Sequence, residues 1–145
     1  MPGKIKVGII GCGGIANGKH LPALKQLDNV ELIAFCDIVE EKAQQAAKTF
    51  GAPDAKVYTD YKELLKDESI VSVHVCTPNK SHSFITIDAL NAGKHVLCEK
   101  PAARTYPEAL EMQKVQHETG MTLNIGVVNR FNDMVNLIRE YIQDG

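Results

Sequence analysis

The sequence predicts an α/β domain: a doubly wound, parallel, six-stranded sheet in the order 3-2-1-4-5-6. Three observations carry this. Six short apolar runs alternate with helical segments along the 145 residues. The first run passes directly into a glycine-rich turn and then into a helical segment. Polar residues, namely Asp37, Asn79, Glu99 and Lys100, stand at or just after the ends of later runs. In such sheets right-handed crossovers place helices on both faces, and ligands collect outside the C-terminal strand ends.

Ile5 to Ile10 is apolar and β-branched, a buried strand. It runs into Gly11-x-Gly13-x-x-Ala16. Gly11 permits a tight turn, Gly13 lets a pyrophosphate approach the backbone, and Ala16 lets the next helix pack close to the strand. Gly14 and Ile15 complete the turn, where free N–H groups face the phosphates. Leu21, Leu24 and Leu27 then share a helical face, with a kink or restart expected near Pro22, which has no N–H to donate. Val30 to Cys36 is the second strand and ends at Asp37. Glu40 to Phe50 is a helix, with Ala43, Ala46, Ala47 and Phe50 on one face and Gly51 as its stop. Lys56 to Tyr58 is a short strand near an edge, and Asp60 caps a short helix through Leu65, with Glu63 three residues on.

Ile70 to Cys76 is the fourth strand, ending in Thr77-Pro78-Asn79. Ser81 to Asn91 is a helix with Ile85, Ala89 and Leu90 inward, closed by Gly93. His95 to Cys98 is the fifth strand, ending in Glu99-Lys100-Pro101. Thr105 and Glu108 form a capping box, with Pro107 in the first turn, for a helix to about Glu118 that Gly120 closes. Thr122 to Val128 is the sixth strand. A last amphipathic helix, Asp133 to Gln143, carries Met134, Ile138, Tyr141 and Ile142 on one stripe.

Length fits one domain with a real core. The formal net charge is −2 with no basic block, so neither a nucleic-acid partner nor an anionic membrane is expected. No apolar run reaches the ~18 residues of a spanning helix. The first strand begins within a few residues of Met1, so no leader is expected and the compartment is read as cytoplasmic. Cys12, Cys36, Cys76 and Cys98 show no CxxC pair; four free thiols and no metal site are expected.

Asp37 lies ~20 residues past the glycine turn, where a carboxylate accepts hydrogen bonds from the adenosine ribose. It also suits a solvated turn or a helix cap. A 2′-phosphate there meets a like charge, worth about 4 kcal/mol at ~4 Å and an effective dielectric of ~20. Ile38 follows rather than a phosphate-clamping arginine, so NAD is favoured over NADP. Thr77, Pro78, Asn79 and His82 lie near the expected cofactor path; Asn79 or Ser81 equally suits a helix cap, and a histidine in a first helical turn is commonly exposed. His74 reads as a core histidine and His20 as a turn residue. Lys100 can reach a nicotinamide and its substrate, to stabilise oxygen charge or move a proton, or it can simply pair with Glu99 on the surface.

Gly11-Cys12-Gly13-Gly14-Ile15-Ala16, His20-Leu21-Pro22-Ala23-Leu24, Val57-Tyr58-Thr59-Asp60-Tyr61, Cys76-Thr77-Pro78-Asn79, Gly93-Lys94-His95-Val96-Leu97-Cys98-Glu99-Lys100-Pro101 and Asn129-Arg130-Phe131 occur in that order. Together they resemble the N-terminal half of the glucose-fructose oxidoreductase and inositol dehydrogenase family, the Gfo/Idh/MocA-like group. The resemblance implies a Rossmann domain in a nicotinamide-dependent oxidoreductase acting on a sugar, cyclitol or similar polyol. It implies that Lys100 is catalytic beside the nicotinamide, that Gly11, Gly13, Gly14, Ile15, Asp37, Thr77, Pro78, Asn79, His82 and Glu99 line the cofactor, and that Arg130 lies near the site. It also implies a cis Lys100–Pro101 bond. Family members continue into a second domain that supplies most of the substrate pocket. The sequence stops at Gly145, where that domain should begin, so residues 1–145 are read as the cofactor domain alone. Self-association through the surface left uncovered is a further expectation. A non-catalytic NAD(H)-sensing module is the alternative, although a sensor needs no charge at the hydride end. A doubly wound methyltransferase shares the glycine turn but gives no reason for Glu99-Lys100-Pro101.

Overall fold

The computed structural model describes residues 3–143. The strands are β1 (Ile5–Ile10), β2 (Val30–Cys36), β3 (Lys56–Tyr58), β4 (Ser72–Val75), β5 (His95–Cys98) and β6 (Leu123–Ile125). The helices are α1 (Leu21–Lys25), α2 (Glu40–Phe50), α3 (Tyr61–Leu65), α4 (His82–Asn91), α5 (Tyr106–Thr119) and α6 (Asp133–Gln143). All strands are parallel, in the order β3-β2-β1-β4-β5-β6.

Strand periodicity divides the core into two layers. Val7, Ile9, Leu32 and Phe35 pack with Leu21, Leu24, Ala43 and Ala46 of α1 and α2. Ile10, Ala34, Val73, Val75, Val96 and Cys98 pack on the other face with Leu64, Ile85, Leu90 and Met112. Register then places the site. Ile10 stands opposite Cys36 and Val75, Val75 opposite Cys98, and Cys98 opposite Ile125. The residues that follow, namely Gly11, Asp37, Cys76, Glu99 and Gly126, therefore leave the sheet along one edge.

The caps predicted at Asp60 and at Thr105–Glu108 form, with the Asp60 carboxylate accepting from the Lys62 N–H at 2.9 Å and both arms of the capping box made. Two strands are shorter than predicted. Ile70 belongs to a turn, its N–H given to the Asp67 carbonyl, so β4 starts at Ser72. Beyond β6 the Gly126 N–H still reaches the Cys98 carbonyl, but the Val127 N–H folds back on Ile125, which ends the ladder. A 3-10 turn, Asn79–Ser81, precedes α4, which starts one residue later than expected. The break expected near Pro22 takes the form of a π-helical turn, Ala16–His20, in which the Leu21 N–H donates to Ala16 five residues back. The four cysteines are free and buried, and burial pushes the thiols of Cys12 and Cys36 up to about 12 and that of Cys98 to about 11. As thiols they act as small hydrophobes. Among the described residues no helix is long and apolar enough to cross a membrane.

Candidate dinucleotide site

The site begins where β1 ends. Gly11 has φ +93°, and a Cβ on it would lie 2.7 Å from the Cys76 carbonyl carbon and 2.8 Å from the Thr77 nitrogen. Only a bare backbone lets the turn cross the exit of β4 so closely. Gly13 and Gly14 are the opposite case: a Cβ on either meets nothing within 4 Å. Their missing side chains leave space on the outer side of the turn, next to exposed Ile15. The Asn17 side-chain amide donates to the carbonyls of Cys12 and Gly13, at 2.7 and 3.0 Å, and so braces the turn from behind. Sequence reasoning passed over Asn17, whose signal is its position one turn past Gly13.

Asp37 stands at the lip. One carboxylate oxygen accepts from the Cys12 N–H at 2.8 Å and the other from the Val39 N–H at 2.9 Å. The side chain thus clamps the glycine turn to the loop before α2, and it gives α2 no direct cap. A carboxylate offers about four lone-pair sites, so two remain for a ligand. Between Asp37 and the β4 exit lies a cleft of about 680 Å³, lined among others by Gly13, Ile38, Thr77, Pro78 and Lys80. That is in the range of sites that enclose a nucleotide-sized ligand.

The side chains of the β4 exit complete the cleft: Thr77, Pro78, Lys80 and Ser81 form the other wall, and Asn79 does not line it. Neither Asn79 nor Ser81 caps the helix with its side chain: Ser81 Oγ lies 2.8 Å from both Thr77 Oγ1 and the Pro78 carbonyl, and exposed Asn79 makes no side-chain hydrogen bond among the described residues. His82 differs from expectation. It is 1% exposed, and its two ring nitrogens each lie 2.7 Å from a carbonyl oxygen, that of Thr77 and that of Pro101. Its imidazole joins the two loops from beneath and does not face the cleft. The Lys100–Pro101 bond is cis.

Glu99 and Lys100 do not pair through their side chains. Glu99 is buried, and its Oε1 lies 2.9 Å from His20 Nε2 while Oε2 accepts the Lys100 backbone N–H at 3.0 Å. His20 Nδ1 lies 2.9 Å from Nδ1 of His74. The Lys100 side chain is left exposed past the end of β5. Lys94, from the same run, is structural: it is 5% exposed and donates to the Asp67 and Ile70 carbonyls at 2.8 and 2.9 Å. Arg130 is exposed in the 3-10 turn after β6 and does not line the cleft.

Burial, with the neighbouring His20 second, holds His74 down at about 4 against an ordinary value of 6.5. Between those values the unfolded chain binds a proton that the folded domain refuses. Stability should therefore fall as the pH drops through this window, by about 2 kcal/mol at pH 5 and about 3 kcal/mol at pH 4. Asp67 adds its own loss only lower down: the hydrogen bond from Lys56 holds its folded carboxylate well below the usual range, so its share of stability goes as the pH falls through its unfolded value of about 3.8. Urea titrations from pH 7 to pH 4.5 should show a falling midpoint for the parent chain and a shallower fall for His74→Asn. Equal slopes would reassign the acid sensitivity to another group.

A family model described as an oxidoreductase family with an NAD-binding Rossmann fold, GFO_IDH_MocA, matches residues 5–127. The chain belongs to the Gfo/Idh/MocA family. Inositol 2-dehydrogenase of Salmonella typhimurium is 32% identical over 142 residues, covering 97% of this chain and 42% of that protein. D-glucoside 3-dehydrogenase of Escherichia coli is 35% identical over 141 residues, covering 97% and 40%. Among solved structures, KijD10, a 3-ketoreductase from Actinomadura kijaniata in complex with NADP and TDP-benzene, superposes with a TM-score of 0.89 at 29% identity, over 98% of this chain and 43% of that one. The chain thus spans less than half the length of these relatives, and its six-stranded Rossmann sheet is the part it shares with them.

Proposed function

We propose that these residues are the NAD-binding domain of an oxidoreductase that moves a hydride between a nicotinamide dinucleotide and a sugar, cyclitol or related polyol. The observation that carries the reading is the pairing of an open glycine turn with a carboxylate that keeps two acceptor sites at its lip. Gly13, Gly14 and Ile15 leave backbone bare for the pyrophosphate, and Asp37 receives the ribose hydroxyls. Ile38, Pro78 and the Thr77 loop flank the adenosine. Adenosine beside β2 and pyrophosphate at β1 direct the remaining ribose and ring toward β4 and β5, past Asn79 to Lys100. When bound there, the nicotinamide supplies the hydride donor or acceptor. The exposed Lys100 ammonium stabilises charge on the reacting oxygen or exchanges a proton with it. The names of the relatives support a polyol or sugar as substrate, and their greater length supports a further domain that shapes its pocket.

NAD is the preferred dinucleotide, because a 2′-phosphate in this position would face the Asp37 carboxylate. Asp37→Ala should weaken NAD binding by about 1.5–3 kcal/mol, the value of hydrogen bonds to a charged group, and should narrow the preference over NADP. Calorimetric titration of both dinucleotides checks this. Equal or tighter binding of NADP by the unsubstituted chain would refute the assignment of Asp37.

A further inference from the structure

We infer that His20 is a positioning residue for Lys100: it holds the Glu99 carboxylate, which in turn holds the Lys100 backbone amide. The inference rests on the proposed place of Lys100 at the nicotinamide end. Four segments far apart in sequence meet around this link: Glu99 touches His20 and Gly126, and His20 touches His74 through its other ring nitrogen. His20 comes from the π-helical turn, His74 from β4, Glu99 from the end of β5 and Gly126 from the end of β6. His20 and Glu99 side chains are each only 10% exposed. A Cβ on Gly126 would lie 3.2 Å from Glu99 Oε1 and 3.3 Å from Cδ, so the carboxylate occupies the room that glycine leaves.

The hydrogen-bond roles follow from the donor inventory. An ionised carboxylate only accepts, so His20 Nε2 carries the proton. A neutral His20 ring then presents the Nδ1 lone pair to His74, whose own Nδ1–H donates; the two rings meet edge to face, centroids 5.1 Å apart. The His74 contact fixes the tautomer and plane of His20, and His20 fixes one oxygen of Glu99. The other oxygen fixes the amide of the next residue, Lys100. The extra residue in the π turn rotates His20 inward from a helix whose neighbours, Gly18 and Lys19, face solvent.

Two polar substitutions separate this role from simple adhesion of the first helix to the sheet. His20→Gln places an amide nitrogen at the ε position and can still donate to Glu99. His20→Asn reaches only the δ position, toward His74. The ligands are NADH and ADP-ribose, which lacks the nicotinamide. With His20→Asn, NADH affinity should fall about tenfold while ADP-ribose affinity stays within about twofold, and the Lys100 amide should exchange with solvent about tenfold faster. With His20→Gln all three readouts should stay near those of the parent. Should His20→Asn fail to fold, Glu99→Ala removes the carboxylate that joins His20 to the Lys100 amide and should give the same pattern. Equal losses for NADH and ADP-ribose, or no change in either, would overturn the inference. If the parent chain binds neither ligand, the proposed function falls, and Lys100 amide exchange alone decides: faster in His20→Asn but not in His20→Gln supports the link, unchanged in both removes it.

Discussion

Replacing Gly11 with alanine is expected to cost the domain a large part of its stability, whereas the same change at Gly13 should spare the fold and impair binding. At Gly11 the added methyl runs into the Cys76–Thr77 peptide, with the Cys76 carbonyl carbon at 2.7 Å and the Cys76 oxygen and Thr77 nitrogen at 2.8 Å. None of these is the tip of a flexible side chain. Relief requires the exit of β4 to move, and that exit carries the Thr77 loop. The φ of +93° adds strain for any L-residue. Backbone strain of this kind costs about 1–3 kcal/mol, and overpacking a tight site costs about 1–3 kcal/mol more. Together these approach the lower end of the ~5–15 kcal/mol that keeps a domain folded. Gly13 has nothing within 4 Å of the same methyl, so its alanine variant should melt close to the parent. The methyl then occupies the space proposed for the pyrophosphate, and NAD affinity should drop. Urea unfolding and calorimetry on the two variants give the comparison. A Gly11→Ala chain with an unchanged midpoint, or a Gly13→Ala chain that binds NAD normally, contradicts the account of the turn.

Much of this architecture was legible because local and global signals agree. The β-branched runs, the glycine turn and the strand-end polar residues each point to one sheet order. The parallel register then brings Gly11, Asp37 and Glu99 to a common edge. Side-chain partners were less legible. His20 and Glu99 are 79 residues apart and His20 and His74 are 54 apart, so no local spacing announces their contact. The helical phase that aims His20 inward depends on the π turn before Pro22, and a 3.6-residue periodicity cannot see that turn. His82 was misjudged for a similar reason. First-turn exposure is a property of an isolated helix, and here the loop ending at Pro101 covers it. The strand ends at Ile70 and Val127 were overrun because apolar, β-branched residues continue past the last ladder bond, and turn bonds to Asp67 and Ile125 stop them.

A protein made of these 145 residues alone should bind NAD(H) and leave polyols untouched at ordinary enzyme rates. The proposed adenosine and pyrophosphate contacts, from Gly13 to Asn79, all lie within the described residues, so binding has what it needs. Turnover needs more. Lys100 is solvent-exposed, and no described side chain closes over it to exclude water or grip a substrate hydroxyl. Correct orientation of bound reactants is worth about 7–11 kcal/mol of barrier, and a single exposed ammonium supplies little of it. The last helix carries an uncovered apolar face. α6 buries none of its residues, and Met134, Ile138, Tyr141 and Ile142 are between 55 and 76% exposed along one stripe. Phe131, just before it, is 80% exposed. An apolar face of this extent is unusual on a monomer surface. The same face, left open, should make the short chain self-associate as its concentration rises. Direct NAD binding, NADH formation with a panel of polyols and sugars, and sedimentation at several concentrations test the three parts together. Steady turnover by the short chain would remove the need for a second domain, and absence of any dinucleotide binding would remove the function proposed for the glycine turn itself.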